Sequence, residues 1–441
     1  MARSREERCV LELIKKLIEK EFFVKNRVFI VRYVVGPIFR LRRMLFPRKA
    51  VLYAGQSYYH AWNTSRALRK LGWTADVLNW DMYEGTQIYY HGEDFKFTQD
   101  GEKGYQEQID FYLSALWKYD IFHFSNIGGM VFGFPFQLSI SQKYHRNFEI
   151  EVLRYLGKKI VYSHSGCLDG VSQTSFSRWP PMSVCSMCVW RDRPDVCSDE
   201  KNLAWGKYRN EMADYQLLFG GNHVDYNDDP RVHEEPEFFC TDPEFLHPGL
   251  EIPEKFRLDF PPNSVRLYHS VGNFVERTDE QGVNIKSTHV YLPLIRRLKA
   301  EGYPVELISV TGVPNRDVRF YQAQADIILE MLSFGFFGAN GREALMLGKP
   351  LVCFIRPVWL ESMRAEIPEY VDELPVVNAT PETVYDVVKD LIENPEKRAE
   401  IGRRSRAFAL KWHSTDAAGR RMDRVYRRLL RDQGYDASRA P

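Results

Sequence analysis

The residues best suited to chemistry lie in the second half of the chain, where 334–355 read FGFFGANGREALMLGKPLVCFI. Gly335, Gly338 and Gly341 open a loop with little side-chain bulk, and the run from Glu343 to Leu347 reads as one or two turns of helix. Gly348-Lys349-Pro350 stops that helix, and the apolar run after it predicts a short buried strand. A glycine loop feeding a helix N-terminus presents unpaired N–H groups and a partial positive charge, which suits a phosphate. A carboxylate at that point, here Glu343, can accept hydrogen bonds from ribose hydroxyls. The chemistry this stretch supports is nucleotide binding.

A second group is Cys167, Cys185-x-x-Cys188 and Cys197. Four thiolates can close a tetrahedral zinc site, and Cys-x-x-Cys supplies a tight knuckle. The loop between them, with Pro180, Pro181 and Pro194, has little regular pattern, and a structural metal would explain its order. Reduced, unligated thiols are the other reading. Catalytic zinc is not expected, because no histidine-rich triad with an open position accompanies the cysteines.

The elements that must position these groups alternate between strand and helix. Strands are expected over 50–55, 74–78, 120–124, 158–164 and 213–219, with helices over 58–71, 107–119 and 201–212. A proline-rich passage follows, and 248–263 reads as a linker. Strands at 265–272, 305–310 and 325–329 then alternate with helices at 289–301 and 317–324, leading into the glycine loop. This is the pattern of two open parallel α/β sheets, whose ligands sit outside the carboxyl ends of the strands. Gly55, Gln56, Tyr58, Tyr59 and His60 lie in such a loop, as do His123 and Ser270 at two other strand ends.

Over 265–360 the order and residues resemble retaining glycosyltransferases of the GT-B fold, the group 1 or family 4 type. The likeness is greatest to a bacterial subgroup that reads Gly-Trp-Tyr-Gly…Glu-Ala-Met-Ala-x-Gly-Lys-Pro. Here that is Gly335-Phe336-Phe337-Gly338…Glu343-Ala344-Leu345-Met346-Leu347-Gly348-Lys349-Pro350. The subgroup often reads Gly-Gln-x-Tyr-Tyr-His in its first loop, matched by 55–60, and carries similar cysteine sets. The resemblance implies two Rossmann-like domains facing a cleft, with the last helix crossing back to the first domain. The domains would be 49–247, carrying the cysteine insertion at 167–197, and 264–410, with 1–48 a basic extension and 411–441 the crossing helix and tail.

The same resemblance implies roles. Glu343 would hold the ribose of a nucleoside diphosphate sugar, and Lys286 and Arg277 would neutralise its diphosphate, beside Gly338, Gly341 and Ser270. His123, matched to an Asp-x-x-His motif, would contact the donor sugar, while Gly55, Gln56, Tyr59 and His60 would border the acceptor. Most members carry a first glutamate where this chain has Gly335, and Glu330 is the nearest substitute. The implied activity is a hexosyltransferase acting on a hydroxyl of a glycan or lipid-linked acceptor, with no metal needed for donor binding. Gly335 leaves a second reading open, a GT-B-like protein that binds nucleotide sugars or assists assembly without turnover.

Charge bears on partners. The net charge of +1 conceals +9 over 1–49 and +8 over 397–441, leaving −16 for the residues between. An acidic body argues against general nucleic-acid binding, which wants a basic groove near the fold's centre. The basic ends suit an anionic membrane surface. Apolar residues Val10, Leu13, Ile14, Leu17 and Ile18 recur at helical spacing, and 28–46 is apolar with interspersed arginines. No apolar run is long enough to span a bilayer and no secretory signal is evident. A cytoplasmic protein, peripheral at the inner face of the cell membrane through both basic termini, is the expectation.

Overall fold

A computed structural model of the chain describes residues 26–431, apart from 27, 47, 56–57, 82–83, 98–100, 126–128, 165, 168, 180 and 221–222. Gln56, the amphipathic segment before residue 26 and the tail from 432 lie outside that description. Short apolar runs separated by amphipathic helices build two sheets, both parallel throughout. The first contains β1 (Ala50–Ala54), β2 (Thr74–Asn79), β3 (Phe95–Lys96), β4 (Ile121–Phe124), β5 (Lys159–Ser163), β6 (Tyr215–Leu218) and β7 (Val232–Glu234). Their order is β3-β2-β1-β4-β5-β6-β7. Successive side chains of a strand point to opposite faces. Leu52, Ala54, Phe122 and Phe124 therefore enter one core layer, and Val51, Tyr53 and Ile121 the other. Full burial of such a side chain contributes ~1.5–3 kcal/mol.

The second sheet contains β8 (Val265–Tyr268), β9 (Val305–Ile308), β10 (Ile327–Leu329), β11 (Leu351–Cys353) and β12 (Val377–Asn378), in the order β12-β11-β10-β8-β9. The chain then returns. Thr241 donates its N–H to the His413 carbonyl at 2.7 Å, and from there the helix Thr415–Arg431 crosses to the first sheet. It packs on the helix His60–Lys70, where Gly419 lies so close to Ala67 that an added Cβ would stand 2.8 Å from it. Tyr426 donates its hydroxyl to that of Tyr53 at 2.9 Å, and Trp73 donates to Asp423 at 2.7 Å.

This return bears on the expectation of membrane contact through both basic termini, whose ends at 1–25 and 432–441 lie outside the described residues. The helix Gly36–Leu45 packs Phe39 into one core layer of the first sheet, whereas Val425, Tyr426 and Leu429 of the crossing helix pack into the other. The two basic helices are on opposite faces of the sheet and do not share one side.

Candidate functional site

The glycine loop folds differently from the expectation. The helix begins at Ala339, not at Glu343, and runs Ala339–Met346 with Gly338 at its N-cap. Each glycine has its own steric reason. Gly335 has φ +103°, and a Cβ there would lie 2.6 Å from the Arg356 side chain. Gly341 is inside the helix, where a Cβ would meet Phe337 at 2.6 Å. Its smallness serves helix packing. Only Gly338 faces the open side, with Lys286 Nζ the nearest atom to its would-be Cβ at 3.6 Å.

Because the helix starts earlier, Glu343 sits in its second turn, buried at the junction of the two sheets' domains. Its Oε1 accepts from the Tyr59 hydroxyl at 2.7 Å and from Asn315 Nδ2 at 2.9 Å, and its Oε2 accepts from Gln322 Nε2 at 2.8 Å. Burial beside this carboxylate pushes the Tyr59 phenol well above its ordinary pKa. Asn315 also joins the domains: its N–H donates to the Ile88 carbonyl at 2.8 Å, and its Oδ1 is 2.6 Å from His91 Nε2. Nothing in the periodicity marks Asn315, Gln322 or His91, and the sequence reading missed all three. The one local cue is Pro314-Asn315 after a glycine turn.

Glu343 opens onto a cleft between the domains. From the second domain come Ser270, Gly272, Arg277, Lys286, Asn340 and Glu343, and from the first come Tyr58 and Tyr89. Tyr58 is held at φ +64° where β1 ends, and its ring centroid is 4.8 Å from that of Tyr89. A Cβ on Gly272 would stand 2.4 Å from the Tyr89 hydroxyl, so this tyrosine rests on the loop after β8. Burial raises both phenols, and the nearby Arg277 guanidinium pulls each partly back. Lys286 precedes Ser287, which adopts φ +67° and sends its Oγ to the N–H of Leu332 at 3.0 Å. Lys286 is thereby held beside the glycine loop, ion-paired with Glu330. Glu330 itself is buried behind the lysine and does not line the cleft. It is the lysine's counter-ion, not the sugar-facing substitute the sequence suggested.

The histidine expectation is also corrected. His123 is fully buried, with Nδ1 2.6 Å from the Tyr426 hydroxyl and Nε2 2.5 Å from Ser163 Oγ. Its ring packs against those of Tyr53 and Phe238, and burial lowers its pKa to about 3. Strand alternation turns residue 123 toward the crossing helix and away from the cleft. In the first loop, Gly55 ends β1 at φ +80°, its N–H donating to the Leu78 carbonyl at 2.9 Å. His60 bridges the domains, with Nδ1 3.1 Å from the Cys240 carbonyl and Nε2 3.2 Å from Arg342 Nη2. Burial and the facing guanidinium lower its pKa well below the usual range, so it is neutral and accepts from Arg342. Tyr58 alone of this loop's described residues lines the cleft.

The four cysteines are unpaired in disulfides, and Cys167 is pushed up to about 12 by burial and by the other three thiols nearby. Among the described residues, however, no group of three or more His, Cys, Asp or Glu side chains is disposed to hold a metal ion. Contacts within the protein itself also order the insertion. Arg209 donates to the Asp169 and Tyr226 carbonyls, both at 2.9 Å, and Val171, Phe176, Trp179 and Val184 form a small core. Fully buried Arg356 donates to the Trp179 carbonyl at 2.9 Å and to the Ser333 carbonyl at 2.9 Å. The insertion is thus docked against the glycine loop, with Phe176 and Phe334 ring centroids 5.5 Å apart.

Two parallel α/β sheets, a cleft between them lined from both sides, and a last helix returning to the first sheet define the GT-B fold of glycosyltransferases. Solved structures share it. The Anabaena protein HepE, solved with UDP and glucose, aligns at a TM-score of 0.51 and 13% identity over 86% of this chain and 99% of its own. Sucrose-phosphate synthase from Thermosynechococcus elongatus aligns at 0.50 and 12% identity over 87% of this chain and 100% of its own. A glycosyltransferase from Rickettsia africae ESF-5 aligns at 0.50 and 11% identity over 88% of this chain and 100% of its own. At such identities the likeness is one of fold. No family model matches the sequence, and no curated protein does.

Proposed function

We propose that this protein is a glycosyltransferase that moves a sugar from a nucleoside diphosphate sugar to a hydroxyl of a glycan or lipid-linked acceptor. The observation that carries the proposal is the cleft wall on which Arg277, Lys286 and Glu343 meet, with the helix N-terminus at Ala339 between them. Two cations and unpaired backbone N–H groups suit a diphosphate. A buried carboxylate suits the paired hydroxyls of a ribose, which would take over the acceptor capacity now used by Tyr59 and Asn315. That HepE was solved with UDP-glucose supports a donor of this class.

In the proposed reaction the bond from sugar C1 to the β-phosphate oxygen breaks, and the acceptor oxygen bonds to C1 on the same face, with retention. The acceptor proton passes to the departing phosphate, whose growing charge Arg277 and Lys286 offset. Tyr58 and Tyr89, reaching in from the first domain, border the place where sugar and acceptor meet. His123 has no part in this, since its ring lies inside the core. Cell-surface polysaccharide or glycolipid synthesis is the setting we favour for such a transfer.

A second reading is a nucleotide-sugar-binding protein without turnover, and Gly335 favours it. A glutamate at that position would meet Arg356 and an unfavourable φ, so the missing carboxylate cannot simply be restored. Incubating the protein with a panel of nucleoside diphosphate sugars and following nucleoside diphosphate release with a glycosylated product tests both. Binding, seen as a raised Tm, without product would replace the transferase reading by the second one.

A further inference from the structure

The first helix of the described residues carries an apolar face that the other described residues leave uncovered. Phe29, Tyr33, Val34, Ile38, Leu41, Met44, Leu45 and Phe46 are each more than half exposed. Among the described residues, most of the large exposed apolar side chains are gathered in this one segment, whereas scattered single ones would need no explanation. The other face is firmly seated. Gly36 lies so close to the Tyr155 carbonyl that a Cβ would stand 2.4 Å from it, and Phe39 is buried. Arg42 pairs with buried Asp120 at 3.0 Å, Arg40 donates to the Tyr155 carbonyl at 3.2 Å, and Arg43 donates to the Gly157 carbonyl.

Three of the arginines that made this segment look like a basic patch therefore bond the helix to its own domain. What faces outward is apolar, with a five-residue π-helical turn at Val31–Val35 ahead of the α-helix Gly36–Leu45. Cations mark the two ends of the ridge. The Arg32 guanidinium stands 5.3 Å from the Tyr33 ring centroid, and Arg48 and Lys49 are exposed beyond Phe46. From 26 to 49 the chain contains no Asp or Glu. A second copy laid against this ridge would set like charge against like, and 26–49 itself supplies no carboxylate to answer it. An anionic lipid surface answers both features: headgroups for the cations and acyl chains for the ridge.

We propose that the ridge from Phe29 to Phe46 lies in the interface of an anionic membrane and holds the protein there by its apolar face. Docking stands on this surface alone. That it brings the cleft to a lipid-linked acceptor rests in addition on the transferase reading. Both the ridge's mode and its place differ from binding through two basic termini, because the crossing helix is on the opposite face of the sheet.

The test uses the full chain, sedimented with vesicles of phosphatidylcholine with and without phosphatidylglycerol. It is compared with a variant carrying Ile38→Gln, Leu41→Gln and Leu45→Gln, three exposed positions outside the core. We expect the wild type to sediment with the phosphatidylglycerol vesicles and the variant to partition roughly tenfold less or weaker. The variant should keep the wild-type Tm and its shift with UDP-glucose. Wild-type protein left in the supernatant, or a variant that sediments equally well, overturns the proposal. So does a wild-type dimer in light scattering that the variant converts to monomer, because the ridge would then be a contact between copies. Vesicle binding without any shift on UDP-glucose supports the docking and overturns the transferase reading instead.

Discussion

Replacing Glu343 by glutamine separates ligand binding from fold maintenance at one buried atom pair. The carboxylate accepts from Tyr59, Asn315 and Gln322. In the free protein the amide keeps one acceptor oxygen and turns an NH2 toward a former donor. Gln322 can turn to accept it, since its Oε1 has no partner among the described residues. Turning takes its Nε2 away from Asn340 Oδ1, now at 2.9 Å. The net cost to the free protein is about 1–2 kcal/mol, one weakened hydrogen bond or two. Binding loses more. Two ribose hydroxyls that would donate to a carboxylate would donate to a neutral amide or lose a partner, at ~1 kcal/mol each. That sum corresponds to roughly thirtyfold in Kd for UDP by titration calorimetry.

Tyr59→Phe is the control. It removes a donor from the opposite domain, so it should cost the free protein ~1 kcal/mol yet leave UDP binding equal or tighter, because it frees acceptor capacity on Glu343. Should Glu343→Gln bind UDP within about twofold of wild type while its Tm falls, the carboxylate is only an interdomain tie and the ribose assignment fails.

Other outcomes can be checked with the same preparations. Arg277→Ala should weaken UDP roughly tenfold with little change in Tm, and the loss should shrink as salt rises; an unchanged Kd at low salt removes it from the diphosphate. Lys286→Met should weaken UDP similarly but also lower the Tm, because Glu330 is left buried without its counter-ion; full stability at pH 7 would contradict that pairing. Gly335→Ala should cost ~1–3 kcal/mol in urea unfolding, from φ +103° and the contact with Arg356; wild-type stability would show that the loop can rearrange.

Stability should also depend on pH. Burial lowers His123 and His413 to about 3 and His91 and His269 to about 4, so the unfolded chain binds their protons first as pH falls below the usual histidine value. Glu149 and Glu237, raised to about 7 by burial, act oppositely and are outnumbered. Unfolding free energy should therefore drop between pH 7 and pH 5, by ~1.4 kcal/mol per pH unit for each net proton. A flat profile in that range would mean these rings are not held neutral.

The interior strands were legible because each is a short apolar run set between helices with a buried face. β3, β7 and β12 were not, since edge strands of two or three residues carry no measurable period. The glycine loop was found, but its glycines could not be told apart. Gly335 and Gly341 are small because of Arg356 and Phe337, contacts that exist only after the loop has closed on the following strand and helix. Lys286 and Arg277 were reached by resemblance, and both do line the cleft.

What the amino-acid order determined by itself was local: the alternation of strand and helix, the turn residues, and the one stretch where small residues precede a helix and a carboxylate. What only the tertiary structure decided was which polar groups face the cleft and which are spent on holding the domains together. His123 and Tyr58 both lie at or just beyond the end of a strand, yet one is turned into the core and the other into the cleft. The difference is set by the crossing helix, which covers one face of the sheet from hundreds of residues away and supplies Tyr426 as the histidine's partner. No local pattern can encode that choice, because the environment that makes it is assembled from both ends of the chain.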